Sequence, residues 1–174
     1  MANQEKTIIG RTAKASFPRE GIIDVPVKID TGADSSSIWA SKLHIDDEST
    51  LHFVLFAEGS PHYSGVTHTT KVYSARLVRS SNGTQQVRYS VKLTIVLGGR
   101  KVIGSFTLAD RSQNTYPVLV GNRLLYKKFL VDVSRGTIRI EERKVRSDKL
   151  NQELQRNPKA FFEKYHLDNQ RGDI

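Results

Sequence analysis

The sequence predicts an all-β domain with one short helix and a helical tail. Short runs rich in Val, Ile, Thr and aromatic residues alternate with Gly, Asn, Pro and Ser turns over most of the chain. Two glycine reversals, Asn82-Gly83 and Gly98-Gly99, lie between such runs, and Asn-Gly suits a tight hairpin because both positions tolerate positive φ. Beyond residue 145 the pattern becomes helical, with Leu150 and Leu154 on one face.

The β pattern defines nine candidate strands. The pair around Asn82-Gly83 is longer than most strands, so we expect a hairpin that projects from the body. The predicted strands are Thr7–Ile9, Ile22–Ile29, Leu51–Phe56, Val66–Arg79, Gln85–Leu97, Lys101–Ala109, Pro117–Val120, Phe129–Val133 and Thr137–Glu141.

Three helices are expected. A short one follows Gly121 over Asn122–Lys127. In the tail, Ser147 is a suitable cap for a helix that starts at Asp148, and Asn157-Pro158 is a suitable cap and first turn for a helix over Lys159–Tyr165. We therefore predict a β domain at residues 1–145 and a helical tail at 146–174.

Composition excludes several classes of protein. The 174 residues include no Cys, which excludes a disulfide framework, a thiol nucleophile and Cys-based metal sites. The longest apolar runs, such as Phe53–Ala57, are too short to span a membrane. Because Met1–Gly10 is polar and has no apolar signal region, we expect a cytoplasmic protein.

The positive charge is concentrated in the middle of the chain. The formal net charge is +9, and residues 59–140 carry 13 basic residues against two acidic ones. Such a field attracts acidic partners, either nucleic acid or an acidic peptide. An ordinary solvated surface is the alternative interpretation. Aromatic residues are sparse in this region, so stacking platforms for nucleic-acid bases are poor and we rank a peptide partner above nucleic acid.

The segment that points most directly to chemistry is Asp30-Thr31-Gly32-Ala33-Asp34. An apolar strand runs directly into it, which places a carboxylate on a tight loop at the end of a buried strand. Thr31 can donate a hydrogen bond to a partner, and Gly32 allows close approach of backbone. The alternative is an ordinary Asp turn after a strand.

Later segments give this loop a context. An apolar strand that ends in Gly121 and continues into a short helix is the element that packs beneath the Asp-Thr-Gly loop of retropepsins, and the sequence resembles that family. It is most similar to the bacterial retropepsin-like group usually called ATP-dependent zinc proteases. The resemblance covers roughly 22–140 and rests on four segments in order: 28–33, 78–83, 108–112 and 116–121.

The resemblance implies a closed retropepsin-like β-barrel, equivalent to one lobe of an acid protease, and a homodimeric aspartic endopeptidase. Asp30 and its symmetry mate would form the catalytic dyad, and Thr31 would brace the two loops against each other. The hairpin would be the flap that covers a peptide or protein substrate, and its basic residues favour an acidic one. The implied loop supports are Thr31, Gly32, Ala33, Asp34, Asn122 and Arg123, and the implied flap residues are Arg76, Val78, Arg79, Ser80, Ser81, Gly83 and Arg88.

The sequence departs from the viral retropepsin pattern after Gly121. The Arg that pairs with the Asp of the active loop in those enzymes is replaced by Asn122, and Arg123 follows one place later. Either Arg123 takes that role towards Asp34 or the brace is missing, because one helical step rotates a side chain by about 100°.

The zinc and ATP of the group's name find no support in the residues. No His-Glu-x-x-His motif and no Gly-x-x-x-x-Gly-Lys-Ser/Thr loop is present, so we expect no metal and no cofactor. The histidines are His44, His52, His62, His68 and His166, and we interpret them as surface or loop residues. The alternative function is a catalytically silent retropepsin-like module that binds an acidic peptide or protein.

Overall fold

Strands account for most of the first part of the chain. The computed structural model describes residues 5–79, 85–136 and 140–167, with backbone only at 140–146, 166 and 167. Two compact units are present, residues 1–136 and residues 137–174. The described strands are β1 (Thr7–Gly10), β2 (Thr12–Phe17), β3 (Ile22–Asp30), β4 (Ser36–Ile45), β5 (Leu51–Leu55), β6 (Thr67–Thr70), β7 (Tyr73–Arg79), β8 (Gln85–Leu97), β9 (Arg100–Ala109), β10 (Val118–Gly121) and β11 (Phe129–Asp132).

Six of these strands close into a barrel. The hydrogen-bonded order β10-β3-β2-β8-β9-β4 returns to β10 through an antiparallel β10–β4 pairing. The β3–β10 and β4–β9 pairings are parallel, and the other pairings in the ring are antiparallel. Strands β5 and β6 extend the sheet from β4, β7 pairs with β8, and β1 and β11 form a separate parallel pair. The predicted closed, retropepsin-like all-β fold is confirmed.

Alternation along the strands builds the core. In β3, Val25, Val27 and Ile29 point inwards, and Lys28 lies on the outer face. Asp30 follows at the same period and therefore shares the face of Lys28. Across the barrel, Phe17 and Phe106 pack edge to face with ring centroids 5.6 Å apart. Each fully buried side chain of this size contributes roughly 1.5–3 kcal/mol of hydrophobic stabilisation.

Two predicted features differ from the observed strands. Strands β2 and β4 are absent from the prediction, because Ala- and Ser-rich segments such as Thr12–Phe17 have weak intrinsic β preference. Their neighbours impose the extended backbone: β2 lies between β3 and β8, and β4 between β10 and β9. The predicted strand Val66–Arg79 is two strands, β6 and β7, separated by residues 71 and 72.

The long hairpin and its shorter neighbour are confirmed. Strands β7 and β8 pair antiparallel from Tyr73↔Val91 to Arg79↔Gln85, and the predicted turn residues Ser80, Ser81 and Gly83 lie outside the described residues. Strands β8 and β9 reverse through Gly98 and Gly99, whose φ values of +56° and +77° fit the turn that Gly-Gly predicts.

The second unit is helical. Helix α1 (Asn122–Leu125) belongs to the barrel, and α2 (Ile140–Arg156) and α3 (Pro158–Phe162) follow it, the latter continuing into a π-helical turn over Glu163–Leu167. The start predicted at Asp148 is wrong, since α2 begins at Ile140. Residues 140 and 141, predicted as strand, are helical, and the boundary predicted between residues 145 and 146 falls inside α2.

The start of α3 follows the prediction. The Asn157 side chain accepts a hydrogen bond from the Ala160 backbone N–H at 3.1 Å, with Pro158 in the first turn. Among the described residues, no helix combines the length and hydropathy that a membrane crossing requires.

Candidate active site

The Asp30 loop follows directly from β3 at the rim of the barrel. Asp30 keeps 29% of its side chain exposed, and Thr31 and Gly32 are exposed. The Gly32 N–H donates to Asp30 Oδ1 at 3.1 Å, and the Ala33 N–H donates to the Asp30 carbonyl oxygen at 3.3 Å. The loop therefore holds the carboxylate in one orientation and leaves it accessible.

Gly121 supports this loop from β10. It stands in register with Asp30 in the parallel β3–β10 pair, and its N–H donates to the buried Ser36 Oγ at 3.0 Å. A Cβ at this position would lie 2.6 Å from the Ser35 carbonyl carbon and oxygen and 2.8 Å from the Ala33 oxygen. Only glycine allows the loop and β10 to approach this closely.

Helix α1 binds the other side of the loop through its first N–H groups. The Asn122 N–H donates to Ala33 O at 2.7 Å, and the Arg123 N–H donates to Asp34 O at 3.2 Å. The exposed Arg123 side chain makes no ion pair with Asp34 in the described structure. Of the two alternatives given for Arg123, the structure has the second: the side-chain brace to Asp34 is missing, and backbone hydrogen bonds hold the loop instead. Any residue at positions 122 and 123 except proline can supply these bonds.

Lys28 is the nearest charged neighbour of the Asp30 carboxylate. Its Nζ lies 3.6 Å from Asp30 Oδ2, and both side chains stand on the outer face of β3. The two carboxylate oxygens therefore differ, since Oδ1 accepts a backbone N–H and Oδ2 faces an ammonium group. Lys28 lies in the segment 28–33 that resembles the family, but the resemblance gives it no role. A charged residue two positions before an Asp that ends a strand is the signal that could have found it.

The hairpin has two distinct faces. On one face Leu77 and Val87 stand opposite each other and are each 66% exposed. On the other face Arg76 stands opposite Arg88, and Val78 is half-buried. Burial lowers the pKa of Arg88. The predicted flap residue Arg79 is exposed near the end of β7.

Arg111 links the hairpin to the Asp30 loop. It follows β9, is half-buried, and donates from Nε to the Tyr116 carbonyl oxygen at 3.2 Å. Burial lowers the pKa of Arg111, the Arg88 charge lowers it further, and the Asp30 carboxylate opposes both. Arg111 thus lies within electrostatic range of both Arg88 and Asp30. Arg111 lies in the segment 108–112 that resembles the family, but only the fold reveals this proximity.

No metal cluster is found in the parts of the chain that the structure describes: no three His, Asp or Glu side chains converge as ligands there. The closest arrangement is on β4 and β5, where the rings of His44 and His52 stack at 4.6 Å and His52 Nε2 lies 2.8 Å from Asp46 Oδ2. The hydrogen bonds of Asp46 to His52, Glu48 and Thr50 hold the β4–β5 turn.

The comparisons with known proteins agree with this geometry. Residues 8–142 match the family described as RimB-like, retropepsin-like aspartic endopeptidase RimB. A crystal structure of a Legionella pneumophila protein of unknown function has a TM-score of 0.55 and 22% identity, covering 75% of this chain and 96% of that one. That likeness shows a shared fold.

Curated relatives carry a different name. A Shewanella pealeana protein, 30% identical over 137 residues, and a Desulfotalea psychrophila protein, 25% identical over 130, are each named probable alpha-L-glutamate ligase. The matches cover 77% and 73% of this chain but only 30% and 28% of those proteins, so the chain spans less than a third of their length. The family match covers most of the chain, and the chain belongs to the RimB-like, retropepsin-like aspartic endopeptidase family.

Proposed function

We propose that this member of the retropepsin-like family is an aspartic endopeptidase that works as a homodimer. The observation that carries the proposal is the Asp30 loop, held by Gly121 and α1 so that its carboxylate is oriented and accessible. An aspartic peptidase needs two carboxylates about one water, and the chain contains one Asp-Thr-Gly. A second copy related by a two-fold axis supplies the other carboxylate from the same residue.

The chemistry follows from sharing one proton between two carboxyl groups. The ionised Asp30 takes a proton from water while the water oxygen forms a bond to the peptide carbonyl carbon. At the same time the protonated Asp30 of the second copy donates its proton to the carbonyl oxygen. The resulting tetrahedral diol loses its C–N bond as the nitrogen takes up a proton from the dyad. A carboxylic acid and an amine leave, and one water has been consumed.

An acidic peptide is the proposed substrate. The face of the hairpin that carries Arg76 and Arg88 is basic, and Lys28 adds a further positive charge beside Asp30. The relatives' names support this preference, because a probable alpha-L-glutamate ligase acts on an amino acid with an acidic side chain. Exposed Thr31 and Gly32 leave the face of the loop open to a second copy.

The same basic surface favours a second candidate function. A catalytically silent module would bind an acidic peptide through these cations without needing a second carboxylate. The two candidates differ in one respect that an experiment can measure, which is whether Asp30 is required for peptide-bond cleavage.

The test compares Asp30→Asn with the wild type on a glutamate-rich peptide and a Gln-for-Glu version at mildly acid pH. We expect cleavage by the wild type and none by Asp30→Asn, with peptide binding retained. Asp46→Asn is the matched control, because it removes a carboxylate from another turn of the same barrel and should leave cleavage intact. Cleavage that survives Asp30→Asn would contradict the proposal, and binding without cleavage by the wild type would favour the silent module.

Mixed dimers test the shared dyad. When wild-type and Asp30→Asn chains are mixed and re-equilibrated, every mixed dimer lacks one carboxylate. Activity should then fall as the square of the wild-type fraction. If activity fell linearly with the wild-type fraction, each chain would work alone. Sedimentation of the protein as a monomer at the assay concentration would lead to the same conclusion.

A further inference from the structure

Two arginines stand opposite each other on the hairpin, and a third follows β9, without a matching set of carboxylates among the described residues. Arg76 and Arg88 are direct register partners on one face of the β7–β8 pair, an arrangement in which like charges destabilise a sheet. The paired residues of β8 and β9 end at Ser90↔Thr107, so Arg88 and Arg111 both lie just beyond that same end of the ladder. In agreement with this placement, the Arg88 charge helps to lower the pKa of Arg111. In the described parts of the chain, none of the three lies within 4.0 Å of an Asp or Glu oxygen.

The contacts of these arginines are all local and leave donors available. Arg88 Nε donates to the Gln86 side-chain oxygen at 2.9 Å, and Arg111 Nε donates to the Tyr116 carbonyl oxygen at 3.2 Å. In each case the bond uses Nε, so the two terminal nitrogens of the guanidinium remain for another acceptor. Both side chains are half-buried, which adds a desolvation cost to their mutual repulsion.

A bridging anion would remove both penalties. A carboxylate between two guanidinium groups accepts charge-assisted hydrogen bonds from each and converts a repulsion into two attractions. Arg88 lies on the hairpin and Arg111 on the body, so the same anion would also draw the hairpin towards the Asp30 loop. Asp30 does not serve as that bridge in this structure, since neither of its oxygens lies within 4.0 Å of the Arg88 or Arg111 guanidinium.

We propose that Arg111 is a specificity-determining residue, which together with Arg88 binds an acidic side chain of the substrate between hairpin and barrel. The proposal rests on the proposed function for the position of the substrate. Without an acidic side chain the two guanidinium groups resist closure of the hairpin, and with one they favour it. Selection for acidic peptides therefore acts through closure as well as through contact.

The experiment measures kcat/KM for a matched pair of peptides that differ by one Glu-to-Gln replacement, placed in turn at each position near the cleaved bond. At one position the wild type should prefer Glu, and Arg111→Met should reduce that preference about tenfold, the usual effect of losing a hydrogen bond to a charged group. The kcat/KM for the Gln peptide should stay level or rise, because the Arg88–Arg111 repulsion has been removed.

Further variants separate a binding role from a structural one. Arg111→Lys keeps the charge and should restore part of the preference. Arg88→Met should resemble Arg111→Met, and the double variant should lose less than the two single losses combined, since each arginine acts through the same carboxylate. Arg19→Met is the matched control: this exposed arginine precedes β3, at the far end of the strand from Asp30, and should leave the preference unchanged.

The outcomes distinguish this proposal from the proposed function. If Arg111→Met lowered kcat/KM equally for the Glu and Gln peptides, Arg111 would only support the Tyr116 segment, and the specificity proposal would be overturned. A preference for Glu that Arg111→Met leaves unchanged would overturn it too. Peptide binding by Asp30→Asn and by Asp30→Asn/Arg111→Met gives a readout without catalysis. The wild type could cleave neither peptide, while Arg111→Met still weakens binding of the Glu peptide and not of the Gln peptide. The endopeptidase proposal would then fail, and the proposal that Arg88 and Arg111 bind an acidic side chain would hold.

Discussion

The turns that carry Asp30 and Asp46 use their aspartate in opposite ways. At the β4–β5 turn, the Asp46 carboxylate accepts from the Thr50 N–H at 2.7 Å, the Glu48 N–H at 3.1 Å and His52 Nε2 at 2.8 Å. At the end of β3, the Asp30 carboxylate accepts one backbone N–H and faces the Lys28 ammonium.

The difference separates a structural carboxylate from one available for chemistry. The His52 hydrogen bond, followed by the bond from the Thr50 N–H, lowers the pKa of Asp46 to about 2, so this group stays ionised and closes its turn. Asp30 has few partners, and the hydrogen bonds of its loop come instead from Gly121, Asn122 and Arg123 to neighbouring residues. The fold fixes the Asp30 backbone while leaving its carboxylate available to a substrate.

Gly121→Ala should cause the largest loss of stability of the three variants, because it acts on the backbone that holds the Asp30 loop. A Cβ placed 2.6 Å from the Ser35 carbonyl must displace the loop, with an expected loss of about 1–3 kcal/mol in the free energy of unfolding. Denaturant titration measures this loss, and cleavage should fall with it. Gly32→Ala is the control, since its Cβ would meet Asp30 Oδ1 at an ordinary 3.5 Å. Equal stability of the two variants would contradict the role given to Gly121.

Asp46→Asn should have a smaller effect, confined to stability. The pKa of Asp46 is lowered from 3.8 to about 2 in the folded protein, so its ionisation stabilises the fold above the unfolded pKa. That contribution is lost as the pH falls from the unfolded pKa through the folded one. The Tm of Asp46→Asn should therefore lie below that of the wild type at neutral pH, and the two should converge towards pH about 2. A Tm difference that grows on acidification would refute this assignment.

Lys28→Met should have the smallest effect on stability. The Lys28–Asp30 pair spans 3.6 Å with side chains 52% and 29% exposed, and partly exposed pairs of this kind contribute less than about 1 kcal/mol. Thermal unfolding of the variant should match the wild type closely at physiological ionic strength. A large loss of stability would mean that Asp30 is as fully engaged in the fold as Asp46, and the contrast between the two turns would disappear.

Some of the site could be predicted from local sequence. The Asp-Thr-Gly loop after a strand, the glycine that ends β10, helix α1 and the long basic hairpin all follow from short-range patterns, and the structure has each of them. The flap residues Ser80, Ser81 and Gly83 lie outside the described residues, so their assignment stays a prediction. The roles of Asp30, Thr31 and the second copy remain part of the proposed function.

Other features depended on neighbours that local patterns do not contain. Strands β2 and β4 have weak intrinsic preference, and they are extended because the strands on either side offer hydrogen bonds and a core to fill. Residues 140 and 141, which fit a strand pattern, are helical in α2. For β2 and β4 the neighbouring strands outweighed a local preference of less than about 1 kcal/mol per residue.

The amino-acid sequence by itself determined the β class, the hairpin, the Asp-Thr-Gly motif and the excess of positive charge, because alternation, turn residues and charge are local properties. Only the tertiary structure decided which residues meet. Arg111 lies 23 positions from Arg88 and 81 from Asp30 in the chain, and closure of the barrel brings their charges together. Electrostatic and steric contacts between distant segments depend on strand order and register, and those depend on how the whole core packs.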